Sequence, residues 1–150
     1  MKATTILKKY FPPPATVLDA GARDGSTSER LRAAGYNVTS IDIESKSPDV
    51  IEVPIEEYEG VHDAVVARLL VHQLKGSLSE NLDLLASHVR SGGVLYFTNF
   101  GEGDSWFKES ADAWLKDRKV LYKELHVHTR PTYAGDMKEW KVWEYLVEIK

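Results

Sequence analysis

The chain has 150 residues and a formal net charge of −4, with 28% charged and 43% hydrophobic side chains. That is the size of one domain, long enough to bury roughly two-thirds of its unfolded surface without disulfides or a structural metal. It contains no cysteine, which excludes a disulfide scaffold, a Cys-ligated zinc site, a redox dithiol and a cysteine nucleophile. Mild acidity argues against a chiefly electrostatic nucleic-acid binder. No run approaches the ~18 consecutive apolar residues of a membrane helix, and Met1 to Tyr10 lacks the apolar core of a secretion signal. A single cytoplasmic domain over 1–150 is expected, with 1–14 as a short helical prelude and proline stop. The few Asn and the lone Gln lean toward a heat-adapted source.

Thr5 to Phe11 reads as the prelude helix, stopped by Pro12-Pro13-Pro14. Ala15 to Ala20 is a short apolar run with a β-branched centre, as expected of a strand buried on both faces. It enters the turn Gly21-Ala-Arg-Asp-Gly25. Ser26-Thr-Ser-Glu29 has capping-box spacing and predicts a helix start, with Gly35 as its stop. Tyr36 to Ile43 alternates and predicts a second strand, completing a right-handed βαβ unit. Asp49 to Val53 is a short third strand, Pro54 to Gly60 an acidic linker, and Asp63 to Leu69 a fourth strand. Ser77-Leu-Ser-Glu80 is a second capping box, starting a helix with Leu78, Leu82, Leu85 and Val89 on one face and an end at Gly92-Gly93. Val94 to Thr98 is a fifth strand. Ser105 to Asp117 has helical spacing of Trp106, Phe107, Ala111, Trp114 and Leu115. Lys119 to Thr129 and Lys138 to Ile149 alternate around the Arg130 to Asp136 turn, a hairpin. This order predicts an α/β fold: a Rossmann-like, doubly wound, three-layer sandwich of about seven mostly parallel strands with an antiparallel C-terminal hairpin.

In an open parallel sheet, ligands sit beyond the carboxyl ends of the strands, so the residues just after each strand matter most. Gly21 permits a tight turn and close backbone approach, and Asp42, at the end of strand two, can accept both hydroxyls of a ribose. The dinucleotide fingerprint G-x-G-x-x-G is absent; only G-x-x-x-G is present. The run from Val17 to Glu44, with Asp19-Ala-Gly21-Ala-Arg-Asp-Gly25 and Ile41-Asp-Ile-Glu44, instead resembles the first two motifs of class I S-adenosylmethionine-dependent methyltransferases. Glu52 followed by Val53, His62 to Leu74, Ser91-Gly-Gly93 and the closing hairpin extend the resemblance over nearly the whole chain. Among small members the chain looks most like the tellurite-resistance or thiopurine type.

The resemblance implies S-adenosyl-L-methionine as cofactor. Gly21 with its neighbours Ala20, Ala22, Arg23 and Gly25 would hold the methionine part, and Asp19 would orient that loop or reach the amino group through water. Asp42 would bind the ribose, Ile43 would pack on adenine, and Glu52 and Val53 would border it. Ala67 and Arg68 would close the floor near the sulfonium. Three departures stand out. Arg23 replaces a customary second glycine, the helix between strands two and three is nearly absent, and the short N-terminal region leaves little lid. The Asn/Asp-Pro-Pro-aromatic signature of amino-group methyltransferases is missing at Ala67-Arg68-Leu69-Leu70, which argues against DNA adenine or glutamine as acceptor.

The catalytic candidates are His72, which either faces the acceptor or satisfies a helix-start carbonyl, and Arg68, which either acts at the site or pairs structurally. His126 and His128 share a strand face, but no acid partner at suitable spacing is evident, and no metal is predicted. Tyr10, Tyr133 and Trp140 are candidates to line an acceptor site; Trp106, Phe107 and Trp114 read first as packing. The expectation is a methyltransferase acting on a small-molecule acceptor, away from membrane and nucleic acid, whose acceptor pocket is either open or completed by a second copy or another protein. The alternatives are a non-catalytic methyltransferase-like binding domain and an NAD-binding domain.

Overall fold

A computed structural model describes residues 2–100 and 111–150. In chain order the elements are α1 (Ala3–Tyr10), β1 (Thr16–Ala20), α2 (Ser26–Ala33), β2 (Asn37–Asp42), β3 (Ile51–Glu52), β4 (His62–Ala67), a 3₁₀ turn (Val71–Gln73), α3 (Leu78–Ala86), β5 (Val89–Phe100), α4 (Asp112–Leu115), β6 (Lys119–Pro131) and β7 (Met137–Glu148). The strands form one sheet in the order β3-β2-β1-β4-β5-β7-β6. β1 to β5 pair in parallel, and β7 inserts antiparallel between β5 and β6. This is the predicted α/β architecture, antiparallel edge included.

Each sheet face carries its own apolar layer. Leu18, Val65, Leu95, Phe97 and Val147 meet Leu78, Leu82, Leu85 and Leu115 of α3 and α4. On the other face Val17, Val66, Tyr96 and Leu146 meet Ala3 and Leu7 of α1 and Leu31 of α2. The near-continuous apolar runs of β1 and β4 follow from this cover on both faces.

Three of the boundaries that differ from the sequence reading have a clear local cause. Ser26 forms no capping box: the N-cap is Gly25, in the left-handed region at φ 83°, so Ser26 is already helical. Asp24 Oδ1 instead accepts the Ser26 N–H at 3.0 Å. The Ser77–Glu80 box is present in both directions, but α3 stops at Ala86, not at Gly92-Gly93. Val89 leaves the helical pattern to pair with His62, and both glycines fall inside β5. Gly93 is needed there because a Cβ would run into the Asp63 carbonyl beside the register shift in β4. The third strand shrinks to Ile51–Glu52, because Ser45 Oγ donates to the carbonyls of Ser47 and Val50 and folds the segment before it into a turn. The helix expected over Ser105 to Asp117 is described only as α4; Trp106 and Phe107 lie outside the described residues.

Candidate active site

Because β1 to β4 run in parallel, Ala20, Asp42, Glu52 and Ala67 end at one edge of the sheet. Beyond that edge lies a cleft of about 560 Å³, within the usual range of ligand pockets. Of the residues predicted to hold a cofactor, Gly21, Arg23, Asp42, Ile43, Val53 and Arg68 line it.

Asp42 is the structural hinge of this rim. Its Oδ2 accepts the backbone N–H of Arg23 at 2.7 Å and its Oδ1 that of Glu44 at 3.1 Å. One carboxylate thereby ties the loop after β1 to the loop after β2, and its remaining lone pairs stay available to hydroxyl donors. Gly21 adopts φ 72°, and a Cβ there would press on the Leu70 side chain at 3.2 Å, so glycine lets the two loops close together. Arg23 sits at φ 54°, in the left-handed region. That is the conformation for which glycine is the customary choice.

The other candidates are not among the cleft-lining residues. Asp19 is 2% exposed; its carboxylate accepts Ser28 Oγ at 2.6 Å, and Ser28 in turn meets Ser40 Oγ at 2.6 Å. Burial pushes the Asp19 pKa up to about 6, against the Ser28 hydrogen bond and the charges of Arg68 and Arg32. Asp19 therefore fastens the first turn of α2 to β1 and β2. Ala20, Ala22 and Ala67 are buried in the sheet and its first turn, and Gly25 caps α2. Glu52 turns its carboxylate to the Ser45 N–H at 3.1 Å and is not among the cleft-lining residues. His72, in the 3₁₀ turn, is likewise not among them; burial and then the nearby Arg23 charge hold its pKa below the usual histidine value.

Sequence reasoning missed Leu70, Gln73 and Leu74 after β4, and Ile55 and Glu56 from the β3–β4 linker, all of which line the cleft. The strand-end rule could have reached Leu70. The linker residues have no local signal, since only the fold brings them over β2.

Of the acceptor-side aromatics, Tyr10 packs near Tyr122, Tyr133 is fully exposed in the hairpin turn, and Trp140 lies under the Lys138 ammonium. Trp114, expected to pack, donates to Asp83 and meets Phe97 edge-on. His126 does have acidic neighbours. Glu144, 1% exposed, accepts from Tyr96 and lies 2.9 Å from His126 Nε2, and Glu124 Oε2 is 3.9 Å away. The hairpin register brings Glu144 there, which explains why sequence spacing missed it.

Residues 2–147 match the family model described as "Methyltransferase domain". No curated protein matches the chain. Among solved structures, TehB from Haemophilus influenzae superposes with a TM-score of 0.79 at 18% identity, over 98% of this chain and 61% of that one. The chain thus spans about three-fifths of the TehB chain. A Burkholderia thailandensis 1,6-didemethyltoxoflavin-N1-methyltransferase, solved with its substrate and S-adenosylhomocysteine, gives 0.68 at 19% identity over 97% of this chain and 76% of that one. A SAM-dependent methyltransferase from Methanosarcina mazei gives 0.68 at 15% identity over 95% of both chains. These likenesses establish the fold, and the family match extends nearly end to end over the motifs that line the cleft. The dinucleotide alternative is set aside, because the chain belongs to the methyltransferase-domain family.

Proposed function

We propose that this chain uses S-adenosylmethionine to methylate a small-molecule acceptor. The observation that carries the reading is Asp42, at the carboxyl end of β2 on the rim of the cleft, with Ile43 and Val53 beside it. Its free lone pairs suit a ribose diol. Ile43 is 76% exposed, an apolar surface that a flat base would cover. Gly21 and Arg23 border the space assigned to the methionine part, where the Arg23 guanidinium suits its carboxylate. The bound cofactor supplies a sulfonium-activated methyl group, whose carbon–sulfur bond breaks, leaving its electron pair on sulfur, as an acceptor lone pair bonds the carbon. The protein's part is to orient the two reactants and to keep the site dry. A proton lost by the acceptor needs a base only when the nucleophile is protonated.

Calorimetric titration with S-adenosylhomocysteine tests this. Asp42→Ala is expected to weaken binding by about 1–3 kcal/mol, the usual cost of removing a hydrogen-bonded partner. Unchanged affinity would sink the ribose assignment. Cofactor binding without methyl turnover across a broad acceptor panel would favour a non-catalytic binding domain.

A further inference from the structure

A second cavity, of about 390 Å³, adjoins the cleft and shares Arg68 with it as a wall. Its lining is unusual. Among the described residues, Lys2, Arg30 and Arg68 contribute three cations, Thr4, Thr5 and Thr27 three hydroxyls, and Ala3 the one apolar side chain. Among the described residues no acidic side chain lines this cavity, and none of the three cations has a carboxylate within ion-pair distance. Arg68 Nη1 donates to Thr27 Oγ1 at 2.7 Å, while its Nε is buried with no hydrogen-bond partner among the described residues. The nearby acid, Asp19, is committed to Ser28.

Three like charges around one cavity repel each other, with solvent screening the exposed Lys2 and Arg30, and an entering anion relieves that repulsion. A buried guanidinium N–H without an acceptor is likewise costly. A carboxylate or phosphate in the space reduces both costs, because such groups accept from guanidinium forks and hydroxyls together.

We propose that this cavity is the acceptor subsite and that the acceptor carries an anionic group, a carboxylate or a phosphate, held by Arg30, Arg68 and Lys2. This rests on the cleft being the cofactor site, since the shared Arg68 then sets the acceptor's anionic end one side chain away from the cofactor. A cavity of this volume has room for a small organic anion.

The test is calorimetric titration in chloride-free buffer, of the free protein and of the protein saturated with S-adenosylhomocysteine, using inorganic phosphate and benzoate as separate probes. Saturable one-site binding of either probe is expected, and which one binds distinguishes a phosphoryl from a carboxylate acceptor. Arg30→Ala is expected to lower probe affinity at least tenfold while S-adenosylhomocysteine affinity stays within twofold, which also shows that the variant is folded. Probe binding should stiffen the wild type against heat more than Arg30→Ala, a difference that general salting effects do not produce. The proposal is overturned if neither probe saturates the wild type, or if Arg30→Ala binds the probe as the wild type does. Failure of S-adenosylhomocysteine to bind would instead remove the cofactor reading, with the free-protein titration still deciding whether the cavity takes anions.

Discussion

Two residues carry opposing costs that the fold tolerates at the site. Asp19 is buried with a single hydroxyl donor, and its pKa rises from the ordinary 3.8 to about 6. A group whose folded pKa is raised favours the folded state most at low pH, and this contribution is lost as pH rises from about 4 through 6. At about 1.4 kcal/mol per unit the swing is about 3 kcal/mol. Asp19→Asn cannot ionise, so the stability of wild type relative to this variant should fall by roughly that amount between pH 4 and pH 7, read from urea unfolding at each pH. A pH-independent difference would refute the buried-acid account. Arg23 holds a left-handed backbone at φ 54° while donating its N–H to Asp42. Arg23→Gly keeps that hydrogen bond and removes the steric cost, and a gain of about 0.5–1 kcal/mol in unfolding free energy is expected. The same change removes a cation beside His72, whose pKa should move up in an NMR titration.

At the scale of elements, two identical-looking Ser-x-x-Glu motifs part ways. Ser77 accepts the Glu80 N–H, and Glu80 returns to the Ser77 N–H, so the box closes. Ser26 lies one residue past the cap because Gly25, at the end of a left-handed turn, takes the N-cap position. Ser77→Ala should therefore cost about 1 kcal/mol, and Ser26→Ala only a few tenths, in parallel denaturant titrations. The motif alone could not separate them, because the outcome depends on where the preceding turn ends. The same holds for Val89, which fits the apolar stripe of α3 but is captured by His62 across the sheet.

The whole molecule is one sheet with two apolar layers, and β7 joins them. Leu146 faces the α1–α2 side and Val147 the α3–α4 side, one residue apart on the same strand. Leu82→Ala in one layer and Leu146→Ala in the other should each cost about 2–5 kcal/mol. Both should shift a single thermal transition, seen alike by far-ultraviolet and aromatic circular dichroism, since neither layer persists without the shared sheet. Two separate transitions would show layers that fold independently.

What the sequence by itself determined were the features set by neighbours along the chain. Strand and helix order follows from hydrophobic period, and the tight Gly21 turn and the Asp42 strand end follow from residue type at a strand terminus. Only the tertiary structure decided the features set by neighbours across the sheet. It turned the Glu52 carboxylate to the Ser45 N–H and buried Asp19 against Ser28. It brought Glu144 to His126 through hairpin register, and it gathered Lys2, just before α1, Arg30 of α2 and Arg68, just after β4, around one cavity. The reason is physical: backbone conformation responds to local sterics and hydrogen bonding, whereas a pocket's charge depends on side chains distant in sequence that meet only after packing.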